Sequence, residues 1–321
     1  MPPSPPPQLV EACQTIADQI RSAGPYAHTS HLAVQVGGTV LYDEHFRGPE
    51  RADVFSVTKT VLATLVGVAA RDRLLPPLDQ PLRFTLPLLD TTPAREHTWR
   101  HLLTMTRGSA VDGPWEVDEV TALPGGQVAH IAAAPQLSAP GTSFRYDNGG
   151  THLLSAALAA AIGVSVADYA RRELFGPLGI ADADWLADPD GVSFGYGHLR
   201  LTAHDLLRLG SLWLDRGRWR GEVIADPAFV AAMTSAQNPG GPPEGRLRYG
   251  YLTWVDDDDF LAGGWAGQHV LVLPGPRAVV VTTGDPGLSF GPPPTDELPA
   301  DWRPALDLVR RYLLPVLAAA E

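Results

Sequence analysis

Ser56 and Lys59 stand three residues apart in the stretch F-S-V-T-K-T-V-L-A-T-L, which begins at Phe55. Lys59 is the only lysine in a chain that otherwise takes its positive side-chain charge from arginine. The apolar run from Val57 to about Arg71 predicts a buried helix, and a spacing of three puts both side chains on one face within its first turn. A serine hydroxyl attacks well when a neighbouring base takes its proton, and burial penalises the charged form of an amine. Arginine cannot do this work, because its guanidinium stays protonated. The structural alternative makes Ser56 a helix N-cap and Lys59 an exposed first-turn residue. Against it, a cation in the first turn opposes the helix dipole, and the faces around Lys59 are apolar.

Two further segments carry usable chemistry. In A-P-G-T-S-F-R-Y-D-N-G-G, Tyr146 and Asn148 lie two apart on a loop before a helix expected over Thr151 to Ile162. Tyr146 can shuttle a proton if a nearby lysine cation lowers its pKa from the reference value of about 10. Asn148 can hold a substrate amide or tie the loop to Lys59. Taken alone, the loop gives Tyr146 a packing role and makes Asp147 or Asn148 a helix cap. In G-G-W-A-G-Q-H-V-L-V-L-P, Gly267 is expected to open a strand, where the missing side chain lets a ligand or another backbone approach. The N–H of Gln268 can then serve as an oxyanion donor beside the N–H of Ser56. Taken alone, this segment reads as a β-bulge with Trp265 in the core.

The elements that must position these residues alternate in texture. Leu9 to Ser22 has helical apolar spacing and is expected as a surface helix. L-A-V-Q-V-G-G-T-V-L-Y-D-E-H-F predicts a hairpin turning at Gly37-Gly38. From Pro76 to about Pro242 the chain reads as short helices broken by Pro and Gly. G-Y-L-T-W-V, H-V-L-V-L-P and A-V-V-V-T-T read as strands, the last two joined by P-G-P-R, and Trp302 to Ala319 as a terminal helix. The expected fold is α+β: an antiparallel sheet built from both chain termini and flanked by helices, with an inserted, mostly helical domain. The expected bounds are 8–75 with 245–321 for the sheet domain and 76–244 for the insert, after a disordered proline-rich start at 1–7.

With 321 residues, 45% of them hydrophobic and 19% charged, the chain can bury one large core or two joined ones. A formal net charge of −12 and the lack of a basic block disfavour nucleic acid or an anionic membrane as partner, which leaves a small molecule as the expected one. Oligomeric state is not legible. The single cysteine, Cys13, has no internal partner and is expected to pack. The start M-P-P-S-P-P-P lacks a secretory pattern, and no stretch approaches the roughly 20 apolar residues of a membrane span; a cytoplasmic protein is the expectation.

Taken together, S-V-T-K, Y-D-N and W-A-G resemble the motif set of serine β-lactamases and penicillin-binding proteins, in order and in spacing. H-L-L-T-M-T-R-G, P-G-T-S-F-R-Y-D-N-G-G-T-H-L-L and Y-A-R-R-E-L-F-G-P-L-G-I resemble the class C β-lactamase-like branch, which also holds esterases, amidases and peptidases. The resemblance runs from about Leu32 to the last helix and implies the β-lactamase/transpeptidase-like fold. It implies Ser56 as the acylated nucleophile, Lys59 as its base and Tyr146 as the proton shuttle. Asn148 would position substrate, and the N–H groups of Ser56 and Gln268 would form the oxyanion hole. One departure stands out: penicillin-hydrolysing and peptidoglycan-trimming members usually carry a lysine in the third motif, and Trp265 occupies that place here. An arginine or His269 is left as the only source of a replacement cation. An indole favours an apolar or aromatic group over a carboxylate, as in some esterase members.

Other motifs compete poorly. G-V-S-F-G at Gly191 and G-L-S-F-G at Gly287 lack the strand-to-helix context of a nucleophile elbow. His97 and His101 lack the glutamate order of H-E-x-x-H, Asp256 to Asp259 lack EF-hand spacing, and no glycine precedes Lys59 as a phosphate loop requires. The expectation is a serine hydrolase acting through an acyl-enzyme on a small ester or amide, without metal or cofactor. The alternatives are a β-lactamase or D-amino-acid peptidase, a biosynthetic acyltransferase, and an inactive binding protein of the same fold.

Overall fold

The computed structural model describes residues 6–22, 24–285 and 298–319, and the chain divides into two compact units. Unit 1 comprises Met1–Val57, Arg200–Leu214 and Asp258–Glu321; unit 2 comprises Thr58–Leu199 and Asp215–Asp257. These bounds cut the chain differently from the sequence-based division, because the 200–214 segment joins unit 1 and the helix after Ser56 continues into unit 2.

Unit 1 is built on strands β1 (Thr29–Val36), β2 (Thr39–His45), β3 (Asp259–Gly264), β4 (Gln268–Leu273) and β5 (Ala278–Gly284). They lie in the order β2-β1-β5-β4-β3, with antiparallel pairing throughout. The β1–β2 turn falls on Gly37 and Gly38, both at positive φ (57° and 83°), as a two-residue hairpin requires. β4 and β5 are almost wholly buried, which explains their unbroken runs of Val and Leu: both faces of the sheet are covered.

One cover is α4 (Ala203–Leu214). A Cβ at its Gly210 would fall 2.4 Å from Val279 and 2.9 Å from Val270, so the helix sits directly on the sheet. The other is α1 (Pro7–Arg21) with the terminal helix, 306–318. α1 buries Leu9, Ala12, Cys13, Ile16, Ala17 and Ile20, a stripe at helical spacing, and Cys13 packs as expected. Pro7 begins α1 although 1–7 was expected to be disordered; its ring suits a first helical position, and residues 1–5 lie outside those described. The terminal helix starts at Leu306 rather than Trp302, because Pro304 stands in the way.

Unit 2 holds most of α2 (Val57–Arg71), which is buried from Val57 to Ala69. The Thr60 hydroxyl donates to the Leu252 carbonyl at 2.7 Å, and Thr64 to the Thr60 carbonyl at 2.8 Å, so these two hydroxyls are satisfied within the core. The second buried helix, α3 (Asn148–Ile162), ends on Gly163 at φ 75°. It begins three residues earlier than expected, because Asp147 is its cap and accepts from the Gly150 N–H at 2.8 Å. Short helical segments make up much of the remainder. Among the described residues no single helix is long and apolar enough to cross a membrane.

Candidate active site

The candidate residues fall in both units: Ser56, Trp265, Gly267 and Gln268 in unit 1, and Lys59, Tyr146 and Asn148 in unit 2. Ser56 directly precedes α2, and Lys59 occupies its first turn. The chain reaches Ser56 through Phe55, whose φ of 46° is costly for an aromatic residue. The Asp53 carboxylate holds this turn by accepting from the Phe55 N–H at 2.7 Å, and the Val57 N–H closes it on the Val54 carbonyl at 3.1 Å. Backbone strain at a single ordered residue beside a reactive side chain is a recurrent feature of active sites.

The third motif lies against this turn. Gly264 ends β3 and pairs with Gln268 at the start of β4. A Cβ built on Gly264 would fall 2.5 Å from the Val54 carbonyl, 3.0 Å from the Gln268 Cβ and 3.3 Å from the Ser56 nitrogen. Only glycine admits this approach, which brings the backbone at Ser56 and at Gln268 to the same glycine. Gly267, at φ 88°, closes the Trp265–Gly267 turn; the strand opens one residue later than expected, at Gln268. Gln268 is buried, and its amide donates to the Gly284 carbonyl at 2.7 Å, so its side chain serves the sheet.

Trp265 is 38% exposed, which rules out the core role that its segment alone suggested. Its ring meets that of Phe55 edge-on at 5.1 Å. His269 cannot supply the missing cation. It is buried, its Nδ1 lies 3.3 Å from the Thr282 hydroxyl, and burial, reinforced by the nearby Arg310 charge, pushes its pKa down to about 4.

In unit 2, Lys59 is 1% exposed. Its Nζ donates to the Tyr196 carbonyl at 3.0 Å and lies 5.0 Å from the centre of the Tyr146 ring. The structure thus brings Lys59 and Tyr146 together and removes the exposed-lysine alternative. Tyr146 is half-buried and stacks on Trp254 at 5.9 Å with 6° between planes; Trp254 in turn packs edge-on against Tyr249 at 4.6 Å. This aromatic shelf fixes the ring. Asn148 is the first residue of α3 and half-buried, and its carbonyl accepts from the Thr151 hydroxyl at 2.7 Å.

Two contributors escaped the sequence reading. The Tyr196 carbonyl reaches Lys59 because Gly195 lies flat on α3: a Cβ there would fall 2.0 Å from the Thr151 carbonyl. Arg107 pairs with Asp147, both almost fully buried, clamping the residue that caps α3 between Tyr146 and Asn148. The quoted segment H-L-L-T-M-T-R-G contains that arginine, but nothing local marks its partner 40 residues away.

The competing motifs are also placed. Gly191 lies at φ 84° in a loop, and Ser193 is buried with its hydroxyl accepting from the Ala167 N–H at 3.2 Å, so no nucleophile elbow forms there. Gly287 lies outside the described residues. His101 belongs to a capping box at Thr98, whereas His97 precedes that helix and bonds Gln136 at 3.0 Å; the two do not share a helix face. Asp257 sits at φ 51° and accepts from Arg248 at 2.9 Å.

Comparison with known families matches residues 27–287 to the family model described as Beta-lactamase. Comparison with curated proteins returns no match. Among solved structures, the chain is similar to a provisionally named 6-aminohexanoate-dimer hydrolase from Bacillus anthracis, at 17% identity and TM-score 0.75, covering 95% of this chain and 81% of that one. It is similar to a penicillin-binding protein homolog from Caulobacter crescentus at 16% identity and TM-score 0.70, covering 87% and 92%. EstCE1, a hydrolase with promiscuous acyltransferase activity, matches at 18% identity and TM-score 0.69, covering 87% and 93%. At these identities the structures establish a shared fold.

Proposed function

The chain belongs to the Beta-lactamase family, and on that premise we propose that it is a serine hydrolase that forms an acyl-enzyme on Ser56 and cleaves an ester or amide of a small molecule. The observation that carries this reading is the setting of the sole lysine. It is buried in the first turn of α2, three residues after Ser56, and faces the Tyr146 ring. A lysine with only a packing role would extend its ammonium to water.

In the proposed cycle the Ser56 hydroxyl loses its proton to Lys59 as its oxygen attacks the carbonyl carbon. The oxyanion is held by the N–H groups of Ser56 and Gln268, a role supported by the approach of Gly264 to both. Tyr146 delivers a proton to the leaving alcohol or amine, and water, activated by the same pair, frees the acid. Asn148 orients the substrate's polar edge.

The substrate class rests on Trp265. An exposed indole beside Phe55, with His269 held neutral, offers an apolar rim where a carboxylate-binding member would carry a cation. Steady-state turnover of a nitrophenyl ester, a nitroanilide, a penicillin and a D-alanyl peptide tests this. The ester is expected to turn over fastest, with the carboxylate-bearing penicillin and peptide slowest. Faster turnover of penicillin or peptide would replace the esterase reading with a β-lactamase or peptidase one. Acyl transfer to an alcohol or amine is the second reading, favoured by the promiscuous acyltransferase activity named for EstCE1. Added alcohol would then divert ester turnover into a new ester.

A further inference from the structure

Apart from the candidate catalytic residues, unit 1 gathers a cluster of ligand-type side chains on the face of the sheet that α4 covers, three of which bring their ligand atoms together. His31 lies on β1, Asp43 on β2 and His204 at the second position of α4. Residues 31, 33 and 35 of β1 point to one face, and Gln35 bonds Ser211 of α4 at 2.7 Å, which identifies that face. The β1–β2 register sets Asp43 opposite Ala33 and His45 opposite His31, so Asp43 joins His31 there. The Asp43 carboxylate stands between two imidazoles: His31 Nε2 is 2.6 Å from Oδ1, and His204 Nε2 is 2.7 Å from Oδ2. The three ligand atoms lie within 4.8 Å of one another.

Access suits a cation: His31 is buried, while the side chains of Asp43 and His204 are 36% and 52% exposed, so an ion enters from solvent without the sheet opening.

We propose that His31, Asp43 and His204 bind one zinc ion, which ties the β1–β2 hairpin to the first turn of α4 and uses none of the candidate catalytic residues. Two imidazole nitrogens and one carboxylate oxygen, with water as fourth ligand, make a tetrahedral set that zinc accepts. Each ring coordinates through Nε2, so its proton resides on Nδ1, and two Zn–N bonds and one Zn–O bond replace the two hydrogen bonds. Ligand atoms about 2.0–2.1 Å from the ion stand about 3.4 Å apart in such a set. Asp43 and His204 reach that spacing by rotation of exposed side chains.

The test is isothermal titration of the chelator-stripped full chain with zinc chloride, with bound metal counted by mass spectrometry of the dialysed protein. His204→Ala and Asp43→Asn run in parallel, and folding of all three is checked by Tm in chelator. The wild type is expected to hold one zinc per chain and to gain Tm as zinc is added. Both variants are expected to fold and to lose affinity by about 100-fold or more, since even outer-shell losses at metal sites cost 10–100-fold. A wild type that takes up no stoichiometric zinc overturns the proposal. Folded variants that bind zinc as the wild type does overturn it equally.

Discussion

In the proposed mechanism the single lysine of an arginine-rich chain answers a demand that arginine cannot meet: an amine able to give up and regain a proton beside a nucleophile. That demand shows in sequence because it fixes a residue type at a spacing of three on one helix start. Trp265 stands out only against the family resemblance, which implies a lysine in its place. If the indole sets substrate preference, Trp265→Lys is expected to raise turnover of carboxylate-bearing substrates relative to the nitrophenyl ester. The gain should be roughly tenfold, the value of one charge-assisted hydrogen bond at an accessible site. An unchanged ratio would mean that selectivity resides elsewhere. Less legible were roles played by backbone atoms. The Tyr196 carbonyl bonds Lys59 across 137 residues of chain, and no side-chain pattern announces a carbonyl.

The elements were readable where one physical cause dominates. The Gly37-Gly38 hairpin follows from left-handed turn geometry, and the runs in β4 and β5 follow from a sheet covered on both faces. Element bounds were set by competing local chemistry: Asp147 caps α3 ahead of its apolar run, and Pro304 delays the terminal helix. Gly264 is the case in which an element end meets the candidate site. Its extended backbone strains nothing, and its requirement is space, with the Val54 carbonyl 2.5 Å from any added Cβ. Gly264→Ala must push β3 away from the turn at Ser56, which would misplace the donors assigned to the oxyanion. Its kcat for the ester is expected to fall on the order of 10²-fold, the cost of losing one such donor, with KM little changed. A rise in KM at wild-type kcat, or no change in either, would remove Gln268 and Ser56 N–H from the mechanism.

Across the whole molecule, stability should follow the buried histidines. Burial, more than any neighbour, lowers both His97 and His269 to about 4, against about 6.5 in an unfolded chain. Between those values the unfolded state binds more protons than the folded one, so stability falls as pH falls through that window. The urea midpoint is expected to drop between about pH 7 and about pH 5, and the drop should be shallower in His97→Gln. A flat midpoint over that range would contradict the assigned burial. The α+β architecture was legible because strands and helices sort to different stretches of the chain. The Arg107–Asp147 and His31–Asp43–His204 clusters were not, because each joins residues whose meeting depends on the finished fold.

The central claim is a covalent intermediate on Ser56 that depends on Lys59. Intact-mass spectrometry of the protein mixed with the nitrophenyl ester and quenched over time tests it most directly, beside Ser56→Ala and Lys59→Arg. The account predicts an added acyl mass that maps to Ser56 and then clears in the wild type, with neither variant acylated and turnover reduced on the order of 10³-fold or more in both. Acyl mass that forms equally in both variants, or that maps to another residue, would contradict it.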